Sequence, residues 1–356
     1  MRGFRRLGGH IETKNRRLLA ALAFLVLAAV LLFAFRWQGA GFDWKLFSAT
    51  LLGMRWPWLL TAVFIALLSY YGRALRWAVL ISHLNPHPNL WGLFSATAIG
   101  FTAIMLFGRP GELVRPYLIS LKERLSFSSQ LAAWFLERIC DLLSALLVFG
   151  FALSQVGKSG AKVGPGLRWV LEVGGYVAGA VGLACVLVFV LLRQFRAMRQ
   201  RLFDALAFLP ARWRGRTEGV VDSFISGVES TRHRSVLLRL ALYTLLEWVL
   251  IVLCYLALFR SFPASENLGW TDVLILMGFL SFGSLVQIPG VGGGVQLVAI
   301  VVLTEIFHLP LEVASGIGLM IWIITFLVVV PIGLVLLVHE GLTWHKLKEM
   351  KGRLTV

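Results

Sequence analysis

Four groups of polar side chains sit in apolar surroundings and could do chemistry there. The first is Arg73 and Arg76, beside Trp77. An Arg-x-x-Arg spacing puts both guanidiniums on one helix face. There they could grip a phosphate through paired hydrogen bonds, or serve only as snorkelling topology markers at a span end. The second is Arg109, Glu112 and Arg115, around a Gly-Arg-Pro-Gly turn that contains Gly111. Glu112 and Arg115 can pair on a helix, and Arg109, on the turn itself, can reach a cavity. The third is Glu137-Arg138-Ile139-Cys140-Asp141, in the middle of an apolar run. Glu137 and Asp141 share a helix face, and Arg138 can pair with Asp141. Three ionisable groups inside a span are too costly to face lipid. Mutual pairing offsets part of that cost and a wet cavity offsets more, while the competing reading is an ion-pair clamp between helices. The fourth is Glu247, Gln287, Gln296 and Glu305. Glu247 has no charged neighbour at helical spacing, so it needs a proton or an arginine from the first half of the chain. The glutamines flank a Pro289-Gly290 break and the Gly292-Gly293 pair as neutral donors and acceptors.

The elements that position these groups must be membrane helices. Of the 356 residues, 58% are hydrophobic and 15% charged, with a mean hydropathy of +0.80. Soluble domains hold about 45–50% apolar and about 25% charged residues, so a soluble enzyme, a nucleic-acid binder and a disordered chain are excluded. The net charge of +16 reads as cytoplasmic Lys and Arg that set topology, not as a nucleic-acid footprint. The expected fold is an all-α integral membrane bundle forming a single domain over 1–356. It has six full spans, near 18–35, 58–81, 128–153, 169–192, 236–259 and 315–338, each about the 17–25 residues a bilayer needs. The first follows a basic leader over 1–17 and reads as an uncleaved span.

Two further apolar segments, 90–107 and 272–286, meet a Pro-Gly break and resume as shorter runs. Each reads as a re-entrant hairpin. With both as hairpins and the N-terminus in the cytoplasm, 23 Lys and Arg fall inside and seven outside, as the positive-inside rule demands. Full crossings would instead put the nine charges of 193–235 outside. The hairpins then enter from opposite faces of the cytoplasmic membrane, and both termini lie in the cytoplasm. The 193–235 loop reads as an amphipathic interfacial helix, and 339–356 as a cytoplasmic tail.

The two broken segments echo each other: Gly100-Phe101 precedes Pro110-Gly111 as Gly278-Phe279 precedes Pro289-Gly290. Paired breaks at corresponding places in two halves point to an inverted repeat with a binding site between the halves. The reason is hydrogen bonding, because non-helical backbone in a bilayer must be buried in protein or line a wet cavity. Enzymatic signals are thin. Cys140, Cys185 and Cys254 form no CxxC pair, and no histidine stands in a HExxH helix. Val291-Gly292-Gly293-Gly294 has no lysine after it and no strand before it, so it is no nucleotide loop. No metal, no cofactor and no catalytic residue is expected.

In order along the chain, four pieces resemble the lysylphosphatidylglycerol synthetase transmembrane-region family, the flippase-like half of the multiple peptide resistance factor. They are Arg73-Ala74-Leu75-Arg76-Trp77, Gly108-Arg109-Pro110-Gly111-Glu112, Glu137-Arg138-Ile139-Cys140-Asp141 and Ile288-Pro289-Gly290-Val291-Gly292-Gly293. The resemblance implies a lipid translocase for a charged, glycosylated or aminoacylated lipid. Arg109, Arg138 and Arg76 would then engage phosphate, and Glu112, Glu137 and Asp141 would balance them. The synthetase also carries a soluble transferase domain. This chain ends roughly 18 residues after its last span, so the expectation is that it moves lipid made by a separate synthase, alone or as a homo-oligomer. Two other readings stay open: a membrane-embedded enzyme on lipid-linked sugars with Glu137 and Asp141 as acid and base, and a non-transporting partner subunit of a synthase.

Overall fold

The computed structural model describes residues 41–159, 173–187, 234–283, 287–288 and 292–341, with positions 190, 219 and 223. It falls into two compact units, 1–49 and 50–356. In the first, the described residues begin a helix, α1 (Trp44–Leu52), whose Lys45 and Leu46 N–H groups are capped by the Asp43 carboxylate.

The second unit is a polytopic helical membrane bundle. Its elements are α2 (Trp56–Ile81), α3 (Leu90–Phe107), a 3-10 turn (Arg109–Leu113), α4 (Val114–Lys122), α5 (Phe127–Ser159) and α6 (Val173–Leu187). Then come α7 (Arg234–Ser261), α8 (Trp270–Gly283), a two-residue β-ladder, α9 (Gly294–Glu305), α10 (Leu311–Trp322) and α11 (Val329–His339). A π-turn (Ile323–Leu327) joins α10 to α11, so that 311–339 is one apolar run. Pro331 has no N–H to return to the preceding turn, which is where such a turn relieves the ladder. Among the described residues, five helices are long and apolar enough to cross a bilayer. They cover the expected spans near 58–81, 128–153, 236–259 and 315–338. The fifth is α3, the entry limb of the first broken segment. The expected span at 18–35 and the 193–235 loop lie outside the described residues, as does most of the 339–356 tail; the 169–192 span is represented by α6.

Lipid-facing surfaces confirm the solvent. On α7, Leu238, Leu242, Leu245 and Val249 are exposed at the spacing of one helix face. Exposed Trp56 and Trp270 stand at one end of the bundle and Trp91 at the other, where interfacial tryptophans belong. Inside, hydroxyls bond back to their own helices, Thr97 to the Leu93 carbonyl and Thr102 to that of Ala98, which satisfies those donors in apolar surroundings.

Both broken segments turn back on themselves. In the first, Lys122 Nζ donates to Ser95 Oγ at 3.1 Å and Asn89 N–H donates to Glu123, so entry and exit lie together. Gly108 makes the turn with φ +70°, and a Cβ on Gly111 would stand 2.4 Å from the Ala103 carbonyl. That explains the Gly-x-Pro-Gly spelling: one glycine for a left-handed φ, the other for backbone contact. The entry limb is not a half-helix. At 18 residues and about 1.5 Å each it nearly matches the hydrocarbon thickness, and only the return limb is short. The second segment has two short limbs, α8 and α9, closed by the ladder pairing Gln287 with Gly293 and Ile288 with Gly292.

The hairpins enter from opposite ends of the bundle. The first has its base at the Ile81 end of α2, where Lys122 also pairs with Glu340 just beyond α11. The second has its base at the Trp56 end, where Arg55 N–H donates to the Ser261 carbonyl and the Arg55 guanidinium pairs with Glu266 at 2.5 Å. The packing is that of a two-fold relation. Helix α2 packs on its counterpart α7, while the span after each hairpin packs on the other hairpin's entry limb, α5 on α8 and α11 on α3. Opposite entry makes the repeat inverted.

Candidate functional site

Two apolar cores divide the bundle, one around each hairpin. The first includes Trp77, Leu93, Ile119, Leu136 and Leu240, the second Ala62, Phe149, Leu258, Leu276 and Ile317. On α5 the buried residues of the first core end at Ile139 and those of the second begin at Phe149; on α7 the break falls between Leu240 and Val252. The polar residues occupy that seam.

Arg76 is its centre and is fully buried. Its Nη1 reaches Asp141 Oδ1 at 2.5 Å and Glu247 Oε2 at 3.0 Å, and its Nη2 reaches Glu137 Oε1 at 2.6 Å. Each of these carboxylates holds a second arginine. Glu137, also fully buried, pairs with Arg115 Nη1 at 2.9 Å; Asp141 pairs with Arg138 Nη2 at 2.8 Å; Glu247 pairs with Arg73 Nη2 at 2.8 Å. The guanidinium of Arg115 also donates to the Arg73 carbonyl at 3.0 Å and lies over the Trp77 ring at 4.3 Å. That of Arg73 lies over Phe101 at 4.9 Å. Trp77 is itself fixed by an Nε1–H bond to Gln130 at 3.0 Å.

Beside this network opens a cavity of about 400 Å³. Five lining residues are charged: Arg73, Arg109, Arg138, Asp141 and Glu247. The rest of the lining is largely apolar, with Trp248, Ile251, Met277, Leu280, Val295 and Phe326 among its residues, and includes three hydroxyls, Tyr255, Ser281 and Thr325. The π-turn presents Thr325 twice: its carbonyl accepts from Tyr70 at 2.7 Å and its hydroxyl meets Tyr255 at 3.0 Å. Both hairpins reach the cavity, the first through Arg109 and the second through Met277, Leu280, Ser281 and Val295.

Several sequence expectations change. Glu112 pairs with Arg109 at 2.9 Å rather than with Arg115. Residues 109–113 form a 3-10 turn, which eclipses i and i+3, while Arg115 starts a new helix and points into the bundle. Arg76 is not available for phosphate, because three carboxylates enclose it. Gln296 accepts from the Gly293 N–H at 2.5 Å and so fastens the start of α9. Gly111 serves backbone packing, and Glu305 stands exposed at the far end of α9. Gln287 and Gly292 are placed by their backbone in the ladder; Pro289 and Gly290 lie outside the described residues. The partners of Glu247 are Arg73 and Arg76, both from the first half.

Sequence reasoning missed Tyr70, Phe101, Gln130, Tyr255 and Thr325. A tyrosine within a span is a detectable signal, because its hydroxyl needs a partner. Among the described residues no three His, Cys, Asp or Glu side chains are grouped to hold a metal ion.

The family model described as "Lysylphosphatidylglycerol synthase TM region" matches residues 18–333. No curated protein and no solved structure matches the chain.

Proposed function

The chain belongs to the lysylphosphatidylglycerol synthase TM region family, and from that premise we propose that it is a lipid translocase, not an enzyme. It would move a polar or charged lipid between the leaflets of the cytoplasmic membrane, with both termini on the cytoplasmic side and the two hairpins re-entrant. Family membership ties the chain to membrane-lipid biology. The observation that supports movement is the cavity reached by both hairpins, lined by charged and by apolar residues together. A headgroup fits the charged lining and acyl chains the apolar lining. Loops that break inside a bilayer are the parts that transporters rock around a fixed site. The enzymatic alternative asks Glu137 and Asp141 to act as acid and base, yet both are held by arginines, which counts against it. With no nucleotide loop in the sequence, movement runs downhill or is coupled to an ion.

The test is reconstitution of the purified chain in liposomes carrying a trace of fluorescent phospholipid, with leaflet exchange read by dithionite quenching. The expected result is exchange faster than in empty vesicles. Ala145→Trp, which fills the cavity without touching a charge, should slow it. Exchange at the empty-vesicle rate ends the translocase reading.

A further inference from the structure

We infer that the cavity selects a lipid whose headgroup is a phosphodiester bearing a single negative charge, bound by Arg73 and Arg138. This rests on the translocase reading for its source, a lipid, but not for its charge. The argument is a charge count. The seam holds four guanidiniums, Arg73, Arg76, Arg115 and Arg138, against three carboxylates, Glu137, Asp141 and Glu247. At its edge Arg109 and Glu112 cancel as a pair. Among the described residues one positive charge is left over, in surroundings where uncompensated charge is costly. One anionic charge neutralises the seam. A zwitterionic headgroup leaves the excess in place, and a dianion overshoots it.

Donor geometry says where the anion sits. Arg76 spends both terminal nitrogens on carboxylates. Arg115 spends its own on Glu137 and the Arg73 carbonyl and does not line the cavity. Arg73 and Arg138 differ from them. Each has its carboxylate contacts at Nη2 and each faces the cavity; the Nε of each, like those of Arg76 and Arg115, is a buried donor without a hydrogen bond. These two guanidiniums are already oriented by Glu247 and Asp141, so their remaining donors are pre-aimed and little ordering is needed on binding. The carboxylates position the arginines; the arginines hold the phosphate.

The chain, purified in detergent, is titrated by calorimetry with dihexanoyl phosphatidylglycerol, dihexanoyl phosphatidylcholine and glycerophosphoglycerol. The first is expected to bind about tenfold more tightly than the second. Arg138→Gln removes the excess charge and should bring the two within about twofold. Glu247→Gln raises the excess by one and frees Arg73, so phosphatidylglycerol should bind more tightly than to the natural chain, a gain no misfolded variant can give. Equal binding of the two lipids by the natural chain, or weaker binding after Glu247→Gln, overturns the inference. If glycerophosphoglycerol binds as tightly as the short-chain lipid, the charge assignment holds and the lipid reading falls. If charge selection holds while vesicles show no exchange, translocation fails and the site stands.

Discussion

Tallied by ion pairs, Arg76 is the residue the seam can least lose. Following the charges left behind points instead to Glu137. Arg76 touches three carboxylates, but each keeps another arginine: Glu137 keeps Arg115 at 2.9 Å, Asp141 keeps Arg138 at 2.8 Å and Glu247 keeps Arg73 at 2.8 Å. Arg76→Met therefore leaves three one-to-one pairs and no net charge. Its cost is that of charged hydrogen bonds lost, about 1.5–3 kcal/mol for each one not replaced, and Glu137 takes part in as many. Glu137→Leu is worse. Arg115 then has no carboxylate, only the Arg73 carbonyl and the faces of Trp77 and Phe101, and the excess charge doubles. Orphaning a buried charge costs about 3–5 kcal/mol. The double change Arg115→Met with Glu137→Leu removes a matched pair and restores the original balance, so it should recover most of that loss. Reversible unfolding by SDS in mixed micelles, followed by tryptophan fluorescence, measures all three. The reasoning is wrong if Arg76→Met destabilises more than Glu137→Leu, or if the double variant is no more stable than Glu137→Leu alone.

Three other outcomes are expected. In a background with Cys140, Cys185 and Cys254 changed to alanine, His87→Cys and Ala264→Cys should react with an impermeant maleimide from opposite sides of the membrane; labelling from one side contradicts opposite hairpin entry. Gly111→Ala places a Cβ 2.4 Å from backbone of Ala103, so the limbs of the first hairpin must part. A loss at or beyond the about 1–3 kcal/mol usual for overpacking should appear in the SDS titration, and an unchanged midpoint argues against the close approach. Thr325→Val removes the hydroxyl that meets Tyr255 but leaves the carbonyl that accepts from Tyr70. About 1 kcal/mol is expected, and a loss above about 3 kcal/mol would mean that the π-turn itself depends on the hydroxyl.

Much of the architecture was legible because a bilayer is a demanding solvent. An apolar run of span length has few alternatives, and a Pro-Gly break within one must be sheltered. That made the helical membrane class and the places where the two segments break readable from the sequence. Which side chains meet was less legible, because pairing across helices depends on rotation and register. Glu247 shows the limit. Its need for a cation was plain from its isolation in an apolar run, but its choice of Arg73 and Arg76 required α2 packed on α7. The misassigned pair at Glu112 has a similar cause. An α-helix and a 3-10 turn both bring i and i+3 together, and the sequence alone does not say where one gives way to the other. The contact of Tyr255 with Thr325 was hidden for a different reason: a tyrosine in a span signals that it needs a partner, but not that a π-turn brings Thr325 to it.

The inverted repeat explains the scaffold but not the distribution of charge. All four guanidiniums of the seam, with Glu137 and Asp141, come from the first half; the second half contributes Glu247 alone. The second half supplies instead most of the apolar lining and its three hydroxyls. Two halves alike in backbone have thus been specialised, one into a charged lining and the other into an apolar one, and only a cavity reached by both can present both to one guest. Within the seam, among the described residues, Glu247 is then the one ionic tie from the second half to the four arginines of the first. A change there alters two things together: the charge that a guest must supply, and the grip of one half upon the other. Glu247→Gln with Arg76→Gln separates them, because it removes one charge of each sign, restores the natural excess and leaves Arg73 and Arg138 in place. If preference for an anionic headgroup returns to that of the natural chain in the double variant while its midpoint of unfolding stays lowered, charge sets selection and the cross-half pairs set stability. A preference that stays raised would mean that local geometry at Glu247, not the count of charges, decides what binds.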